Sequence, residues 1–121
     1  MKKQLLFISV LAILGLSANA QWQQTNGPYG GIITCLSTSG TNIFAGTNGG
    51  GVFLSSNNGS SWTEVNNGLT NIYVYPLAVS GTNIFAGTDV GVFLFSNNGS
   101  SWTAVNNGLP NNTYVRSLAV S

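Results

Sequence analysis

GTNIFAGT, residues 40–47, returns as residues 81–88, and SNNGSSWT, residues 56–63, returns as residues 96–103. The chain is therefore a tandem array with a repeat of about 40 residues. A unit of this length is usually one supersecondary element that cannot bury its own apolar faces, so neighbouring units stack to share a core. The repeated residues are those that make turns and packing contacts. The repeat therefore predicts architecture and leaves the specific function open.

The first 20 residues have the composition of a secretory leader. Lys2 and Lys3 precede an apolar run at residues 5–16, and residues 17–20 have the small-x-small shape of a cleavage site. A membrane anchor is the alternative, but the run is shorter than the roughly 20 apolar residues that a spanning helix needs. We therefore expect residues 1–20 to be a signal peptide for bacterial export, and the protein to be secreted or held at the cell surface.

Very few charged side chains remain in residues 21–121. Arg116 stands against Glu64 and Asp89, which gives this part of the chain a net charge of −1. Without a basic patch, we expect neither nucleic acid nor, after leader cleavage, a membrane surface to be a partner. Cys35 is the single cysteine, so no internal disulfide is possible, and its apolar neighbours predict a small buried side chain.

Within each unit, short apolar runs rich in aromatic and β-branched residues alternate with Gly, Asn and Ser, which is typical of strands joined by turns. The runs predict four strands in each unit, at residues 32–39, 42–47, 51–55 and 61–65 and again at residues 74–80, 83–88, 91–95 and 101–105. Gly40 and Gly81 each open a two-residue link that favours a type II′ hairpin, because glycine accepts a positive φ. The first two strands of each unit are therefore expected to pair antiparallel.

The predicted fold class is all-β, a β-propeller segment of about two complete four-stranded antiparallel blades plus flanking strands. Continuous apolar runs at the third strands predict coverage on both faces. Residues 30–69 and 70–109 form the two predicted blades, and residues 113–121 a strand of a further blade. Residues 21–28 align with the fourth-strand region as a degraded copy. A β-helix is the main alternative, but its coils usually repeat at shorter intervals.

The segment between the third and fourth predicted strands carries a family resemblance. In residues 55–62, Ser55, Asn57, Gly59, Ser61 and Trp62 follow the spacing of the Asp-box, or BNR repeat, whose pattern is Ser-x-Asp-x-Gly-x-Thr-Trp. The segment resembles that motif, and the resemblance implies an exported bacterial Asp-box β-propeller of the sialidase and sortilin-like superfamily. In that family the box lies on the turn between the third and fourth strands of a blade.

The second copy of the box contains Asn97, Gly99, Ser101 and Trp102, with Phe95 at the first position. Both copies carry Asn where the family usually has Asp. In either copy Asn can bond the backbone of the turn, Gly permits an unusual φ, and Trp can fill the space between adjacent sheets. A calcium loop would need several carboxylates, and residues 55–61 contain none. The boxes are therefore predicted to be structural, with no metal and no cofactor.

Propeller rings contain about four to eight blades, so we interpret the chain as a fragment whose partners include the remaining blades of the same propeller. A truncated gene product and self-association into a ring are the alternatives. For function, the sequence predicts a non-catalytic exported repeat module that serves as a scaffold or as a recognition surface for glycans or proteins. Aromatic-bearing, Asn-rich loops at residues 66–73 and 106–114 are the candidate recognition loops.

The resemblance also implies an alternative function, because Asp-box propellers include sialidases and other glycoside hydrolases. Such hydrolysis generally uses two carboxylates, and Glu64 and Asp89 stand at non-equivalent repeat positions. The chain has no histidine, and the leader contains its only basic residues apart from Arg116. We therefore assign no catalytic residue and expect the tyrosines near the first strands to serve in packing. The alternative is the N-terminal part of a secreted glycoside hydrolase whose catalytic residues lie outside this chain.

Overall fold

The computed structural model describes residues 21–96 and 100–121, and the regular elements in these ranges are all β-strands. The strands are β1 (Ile32–Ser39), β2 (Asn42–Asn48), β3 (Gly51–Ser55), β4 (Thr63–Glu64), β5 (Val74–Ser80), β6 (Asn83–Thr88), β7 (Gly91–Phe95) and β8 (Trp102–Ala104). Strands β1–β4 form sheet A and β5–β8 form sheet B, both antiparallel and in chain order. The prediction of an all-β chain with four antiparallel strands in each unit is confirmed. The predicted leader lies outside the described residues.

The hairpins at the start of each sheet have the predicted geometry. Ser39 pairs with Asn42 across the link that begins at Gly40, and the same register recurs one repeat later. Gly40 has a φ of 59° and Gly81 a φ of 60°, and the threonine after each glycine has a negative φ. A positive φ at the first link residue alone is the type II′ arrangement, which matches the twist of the flanking strands.

The first strand of each sheet is an edge strand with an irregular register. The register shifts between Ile33 and Cys35 in β1 and between Val74 and Leu77 in β5. Pro76 lies inside the second shift. Proline has no N–H to donate to a ladder, so an irregular stretch of an edge strand is where a sheet tolerates it.

The last strand of each sheet is shorter than predicted, and an asparagine side chain takes over as hydrogen-bond partner of the third strand just after it. Asn66 follows β4, and its Oδ1 accepts the N–H of Val52 at 2.7 Å. Asn106 follows β8 and accepts the N–H of Val92 at the same distance. The chain thus leaves each ladder while the third strand keeps a hydrogen-bond partner.

Sheet B packs on sheet A, and the core lies between them. The core residues are Phe44, Val52, Leu69, Val74, Ile84, Ala86, Phe93 and Trp102. Two hydroxyls of β1 also reach across to carbonyls of β5: Thr34 Oγ1 donates to Val74 O at 2.6 Å, and Ser37 Oγ donates to Leu77 O at 3.1 Å. The sequence predicts that the third strand of each unit is covered on both faces. In β3, the side chains of Val52 and Phe53 are both buried.

A buried glycine in the second strand sets the approach of each sheet to its neighbour. A Cβ on Gly46 would lie 2.5 Å from Cys35 Sγ and 2.9 Å from Val74 Cγ1. A Cβ on Gly87, one repeat later, would lie 2.6 Å from Val115 Cγ1. Val115 therefore contacts sheet B in the way that Val74 of β5 contacts sheet A. The segment after β8 thus makes the first contact of a second, equivalent inter-sheet packing.

The two ends of the described chain differ from the sequence expectation. Residues 113–121 and residues 21–28, both predicted to be strands, form no strand. A strand needs a hydrogen-bonded ladder, and residues 113–121 have one ladder-like bond, from Val115 N to Thr88 O at 3.0 Å. No strand in the described part of the chain pairs with them. Residues 21–28 likewise lack a third strand beside them.

Candidate recognition site

The first box turn, residues 55–62, is closed by side-chain hydrogen bonds. Asn57 Oδ1 accepts from Ser55 Oγ at 3.0 Å and from Ser61 N at 2.9 Å, while Asn57 Nδ2 donates to Ser61 Oγ at 2.8 Å. Ser55 is buried, and its Oγ accepts the N–H of Gly59 at 2.8 Å. Gly59 has a φ of 84°, which favours glycine. These contacts all lie within the turn and hold it closed.

The amide at position 57 explains how the turn closes without a carboxylate. One end of the Asn57 side chain accepts two hydrogen bonds and the other end donates one, so each polar atom has a partner. No ion is needed to balance a charge there. Within residues 21–96 and 100–121, no group of three or more His, Cys, Asp or Glu side chains comes together as a metal site.

The second box turn differs because its first residue is aromatic. Phe95 packs against Trp102, with ring centroids 5.2 Å apart, and against Phe44 of sheet A at 6.3 Å. Ser101 is half-buried beside Trp102. Asn97 and Gly99 lie outside the described residues.

Trp102 joins the two sheets by hydrogen bonds as well as by packing. Its indole Nε1 donates to Val65 O at 2.6 Å, and its backbone N donates to Asn67 O at 2.8 Å. Both acceptors lie in the segment that follows β4 of sheet A. Trp102 is 3% exposed. The start of β8 is therefore fixed to the preceding sheet.

Trp62, the equivalent residue 40 positions earlier, lacks this connection. Its Nε1 is buried and has no hydrogen-bond partner among the described residues. Thr25, which aligns with Val65, lies nearby, since a Cβ on Gly59 would be 3.1 Å from its Cγ2. The N-terminal segment thus lies beside the first box turn without making the bond that the second box turn makes.

Half of the first predicted recognition loop is committed to the fold, whereas Leu109 of the second is exposed. Besides Asn66, residues 66–73 contain the buried Leu69, and Ile72 O accepts the N–H groups of Gly49 and Gly51. Only the ends of the loops carry large exposed aromatic groups, at Tyr73 and Tyr114. The repeated Asn was the sequence signal for this structural role.

Four side chains that sequence reasoning kept apart converge near the start of β5, and we call them the tyrosine cluster: Tyr75, Asp89, Tyr114 and Arg116. The rings of Tyr75 and Tyr114 lie with centroids 5.9 Å apart. Arg116 Cζ lies over both rings, 5.0 Å from the Tyr114 centroid and 5.6 Å from the Tyr75 centroid. A guanidinium over an aromatic face is attracted by the ring quadrupole.

Asp89 lies on the link between β6 and β7 and completes the tyrosine cluster. Interaction with the Tyr114 side chain, loss of solvation and the Asp89 carboxylate together raise the pKa of Tyr75 to about 12. The shift extends to higher pH the range in which Tyr75 is a neutral phenol. Asp89 Oδ1 is buried and accepts no hydrogen bond from any residue that the structure describes.

The repeat provides an internal comparison for this cluster. The positions 41 residues before Tyr75, Asp89 and Arg116 hold Thr34, Asn48 and Tyr75. Sheet A therefore forms the same ladder with no charged side chain at these places. The charges of the tyrosine cluster are not required by the strand pattern. That comparison of the two copies was the signal that the sequence offered.

Glu64, the other carboxylate in the described part of the chain, is not at the cluster. It lies on β4, is exposed, and its Oε1 accepts a hydrogen bond from Asn66 Nδ2 at 2.8 Å. Asp89 therefore has no second carboxylate beside it. The cluster has the groups to bind a polar ligand, with stacked rings, a guanidinium and a carboxylate, rather than the paired carboxylates of glycoside hydrolysis.

Two surface cavities lie away from the tyrosine cluster. One of about 420 Å³ is lined by polar residues of the N-terminal segment and the first box turn, residues 23–26 and 58–60. The other, of about 290 Å³, separates residues 118–121 from Ala78, Ser80 and Phe85 of sheet B. Each cavity lies between a sheet or its box turn and a chain end that is not paired in that sheet.

Comparison of the chain with known protein families, with curated proteins and with solved structures finds no match. Across the residues that the structure describes, no helix has the length and apolar character needed to cross a membrane. The functional argument therefore depends on the fold and the site.

Proposed function

We propose that the chain is a non-catalytic, exported β-propeller repeat module that serves as a scaffold or as a recognition surface for glycans or proteins. Residues 1–20 act as the signal peptide, and the protein is secreted or held at the cell surface. The box turns at residues 55–62 and 95–102 are the Asp-box turns of this module. Its partners are the remaining blades of the same propeller and an extracellular ligand.

The repeated inter-sheet contact supports the propeller arrangement. The close approach at Gly46 recurs at Gly87, and Val115 begins the next contact. A sandwich would pair two different sheet faces once, whereas equivalent contacts that recur at each unit indicate radial or linear repetition. Leu36 of β1 is exposed, and the sheet of a further blade would cover it.

The observation that carries recognition is the tyrosine cluster. Asp89 and Arg116 are two of the three charged residues in residues 21–121, and both adjoin Tyr75. In a chain with so few charges, their convergence on an exposed and a half-buried tyrosine ring is unusual for a purely structural surface. Exposed aromatic rings beside charged hydrogen-bonding groups are suited to binding an amphipathic ligand.

A glycoside hydrolase whose catalytic residues lie outside this chain is the second candidate. The observation in its favour is the contact of a tyrosine with a carboxylate, since tyrosine is the nucleophile in some glycosidases. The chemistry of Tyr75 opposes that role here, because a pKa raised to about 12 disfavours the phenolate that would attack. We therefore expect no catalysis from this cluster.

The two functions separate in one experiment. The purified chain is incubated with a panel of soluble oligosaccharides, and both binding heat and reducing-end release are recorded. We expect saturable binding without release of sugar. Release that disappears in the Tyr75→Phe variant would contradict the non-catalytic proposal. Sequencing of any downstream coding region tests the alternative further, because an arginine cluster or paired carboxylates on matching loops would support the hydrolase.

A further inference from the structure

Asparagine followed by glycine is a sequence that can lose its side-chain amide without an enzyme. The backbone N of the glycine attacks Cγ of the asparagine, ammonia leaves, and water opens the resulting succinimide ring to aspartate or isoaspartate. Glycine favours the attack because it has no Cβ to hinder the approach. The chain has six such pairs, at residues 26–27, 48–49, 58–59, 67–68, 98–99 and 107–108. Five of them lie in the described ranges, and the fold treats these five differently.

In three of the pairs the attacking nitrogen is already held in a hydrogen bond. The N–H groups of Gly27, Gly49 and Gly59 donate to Thr25 O, Ile72 O and Ser55 Oγ, at 3.2, 3.1 and 2.8 Å. An N–H in such a bond must give it up before the nitrogen can reach Cγ. These three pairs are therefore protected by their own turns and loops.

The remaining two pairs have the same local sequence and the same turn. Residues 65–69 and residues 105–109 both read VNNGL. In each copy the leucine N donates to the O of the first asparagine, at 2.8 Å in the first copy and 2.9 Å in the second. Gly68 has a φ of 81° and Gly108 a φ of 91°. The intrinsic tendency to react is therefore the same at Asn67 and Asn107, and only tertiary contacts can separate them.

Sheet B holds the first of these two pairs in place. Asn67 O accepts the N–H of Trp102 at 2.8 Å. Gly68 lies so close to Trp102 O that a Cβ on this glycine would overlap it. Leu69, the next residue, is only 7% exposed. The peptide between Asn67 and Gly68 must leave all of these contacts before the ring can close.

The second pair has no such cover in the part of the chain that the structure describes. Asn107 and Gly108 are exposed, and a Cβ on Gly108 would have no heavy atom within 4 Å. Within the same ranges, neither Asn107 O nor Gly108 N takes part in a backbone hydrogen bond. Leu109 is 42% exposed. Gly108 N can therefore approach Cγ of Asn107 without breaking a tertiary contact.

We propose that Asn107 is a modification site, at which the folded chain converts asparagine to aspartate and isoaspartate, and that sheet B protects Asn67. A bond forms between Gly108 N and Asn107 Cγ, the Cγ–Nδ2 bond breaks, and ammonia leaves with the proton of Gly108. Water then adds to one of the two ring carbonyls and leaves a carboxylate. The product adds one negative charge to residues 21–121, whose net charge is −1. This inference is independent of the proposed recognition function.

The test is incubation of the purified chain at neutral pH and physiological temperature, in water labelled with a heavy oxygen isotope. Half of the sample is kept folded and half is unfolded in urea, and far-ultraviolet circular dichroism confirms both states. Chymotrypsin cleaves after Trp62 and Trp102, so tandem mass spectrometry follows the two VNNGL segments in separate peptides. Uptake of the label marks each conversion that occurs during the incubation. The pair at residues 98–99 is released in a third peptide, which begins after Phe95.

The ratio of folded to unfolded rates isolates the effect of the fold. We expect this ratio to be at least about tenfold higher at Asn107 than at Asn67, since one hydrogen bond and its packing account for a factor of that order. Asn107→Ser is the matched control, because it should abolish labelling at this position and leave the rate at Asn67 unchanged. Equal ratios at the two sites overturn the inference. An Asn107 that stays unlabelled in the folded chain while the urea sample reacts also overturns it.

Discussion

Replacement of Trp102 by phenylalanine tests whether the indole N–H fixes sheet B to sheet A. Trp102 is 3% exposed, and its Nε1 donates to Val65 O at 2.6 Å. Phenylalanine keeps an aromatic ring against Phe95 but removes the donor. Trp62→Phe is the matched control, because the Trp62 indole has no acceptor within the described residues.

The expected difference follows from the bond and the volume. An unsatisfied carbonyl at a partly buried position costs about 1–2 kcal/mol, and the smaller ring leaves a space that costs about 1 kcal/mol more. We therefore expect Trp102→Phe to lower the free energy of unfolding by about 2–3 kcal/mol. Trp62→Phe removes a buried donor that has no partner, so its effect should stay within about 1 kcal/mol.

Urea unfolding followed by far-ultraviolet circular dichroism measures both changes, since fluorescence would be altered by the loss of tryptophan itself. For a domain of this size, each kcal/mol lost lowers the melting temperature by about 4–8 °C, which gives a second readout. An unchanged m-value for each variant would show that the unfolding transition remains comparable. Equal losses in the two variants would refute the assignment of the Trp102 bond as the connection between sheets.

Three further predictions follow from single side chains. Gly46→Ala should lower the free energy of unfolding by about 1–3 kcal/mol in a urea titration, because its Cβ would lie 2.5 Å from Cys35 Sγ and 2.9 Å from Val74 Cγ1. Asn57→Ala should cost about 1–3 kcal/mol by the same measurement, while Asn57→Asp, which keeps the acceptors, should cost less than about 1 kcal/mol; the reverse order would contradict the account of the first box turn. Because the folded-state pKa of Tyr75 is raised from 10.0 to about 12, its contribution to stability is complete below about pH 10 and is lost as the pH rises to 12. Melting temperatures over that range should therefore fall less steeply for Tyr75→Phe, and parallel curves would contradict this.

The strands could be predicted from the sequence because turn residues delimit them. Gly40 and Gly81 open links of the predicted type, and the bounds of β5, β6 and β7 agree with the apolar runs. The outer strands β4 and β8 could not be bounded in this way. Their ends depend on whether Asn66 and Asn106 side chains replace backbone partners, and that choice is made by tertiary geometry.

Chain ends were the least predictable part for a related reason. Residues 113–121 have the pattern of a first strand, but a strand exists only when a neighbour completes its ladder. Local sequence reports the tendency of a segment, whereas pairing depends on what lies beside it. Val115 reaches its place against Gly87 by side-chain contact, even though no strand forms around it.

The tyrosine cluster could not be predicted because its residues are distant in sequence and lie in β5, in the β6–β7 link and in the segment after β8. Asp89 follows β6, Tyr75 lies in β5, and Tyr114 and Arg116 follow β8. Taken singly, each tyrosine near a first strand has a sufficient explanation in packing. Nothing local in the sequence connects Asp89 to the arginine 27 positions later. Only the stacking of the C-terminal segment on sheet B brings them together.

Repetition separates residues that the fold needs from residues that it merely accommodates. Gly46 and Gly87, like Asn66 and Asn106, are identical in both copies and make equivalent contacts, so their conservation between copies has a physical reason in sheet approach and ladder termination. Asp89 differs from Asn48, and either residue is compatible with the same β2–β3 or β6–β7 register. Asp89 Oδ1 is buried and accepts no hydrogen bond from the described residues, and burial of an unpaired carboxylate oxygen is unfavourable. Sheet approach and ladder termination therefore account for Gly46, Gly87, Asn66 and Asn106, but not for the choice of Asp89.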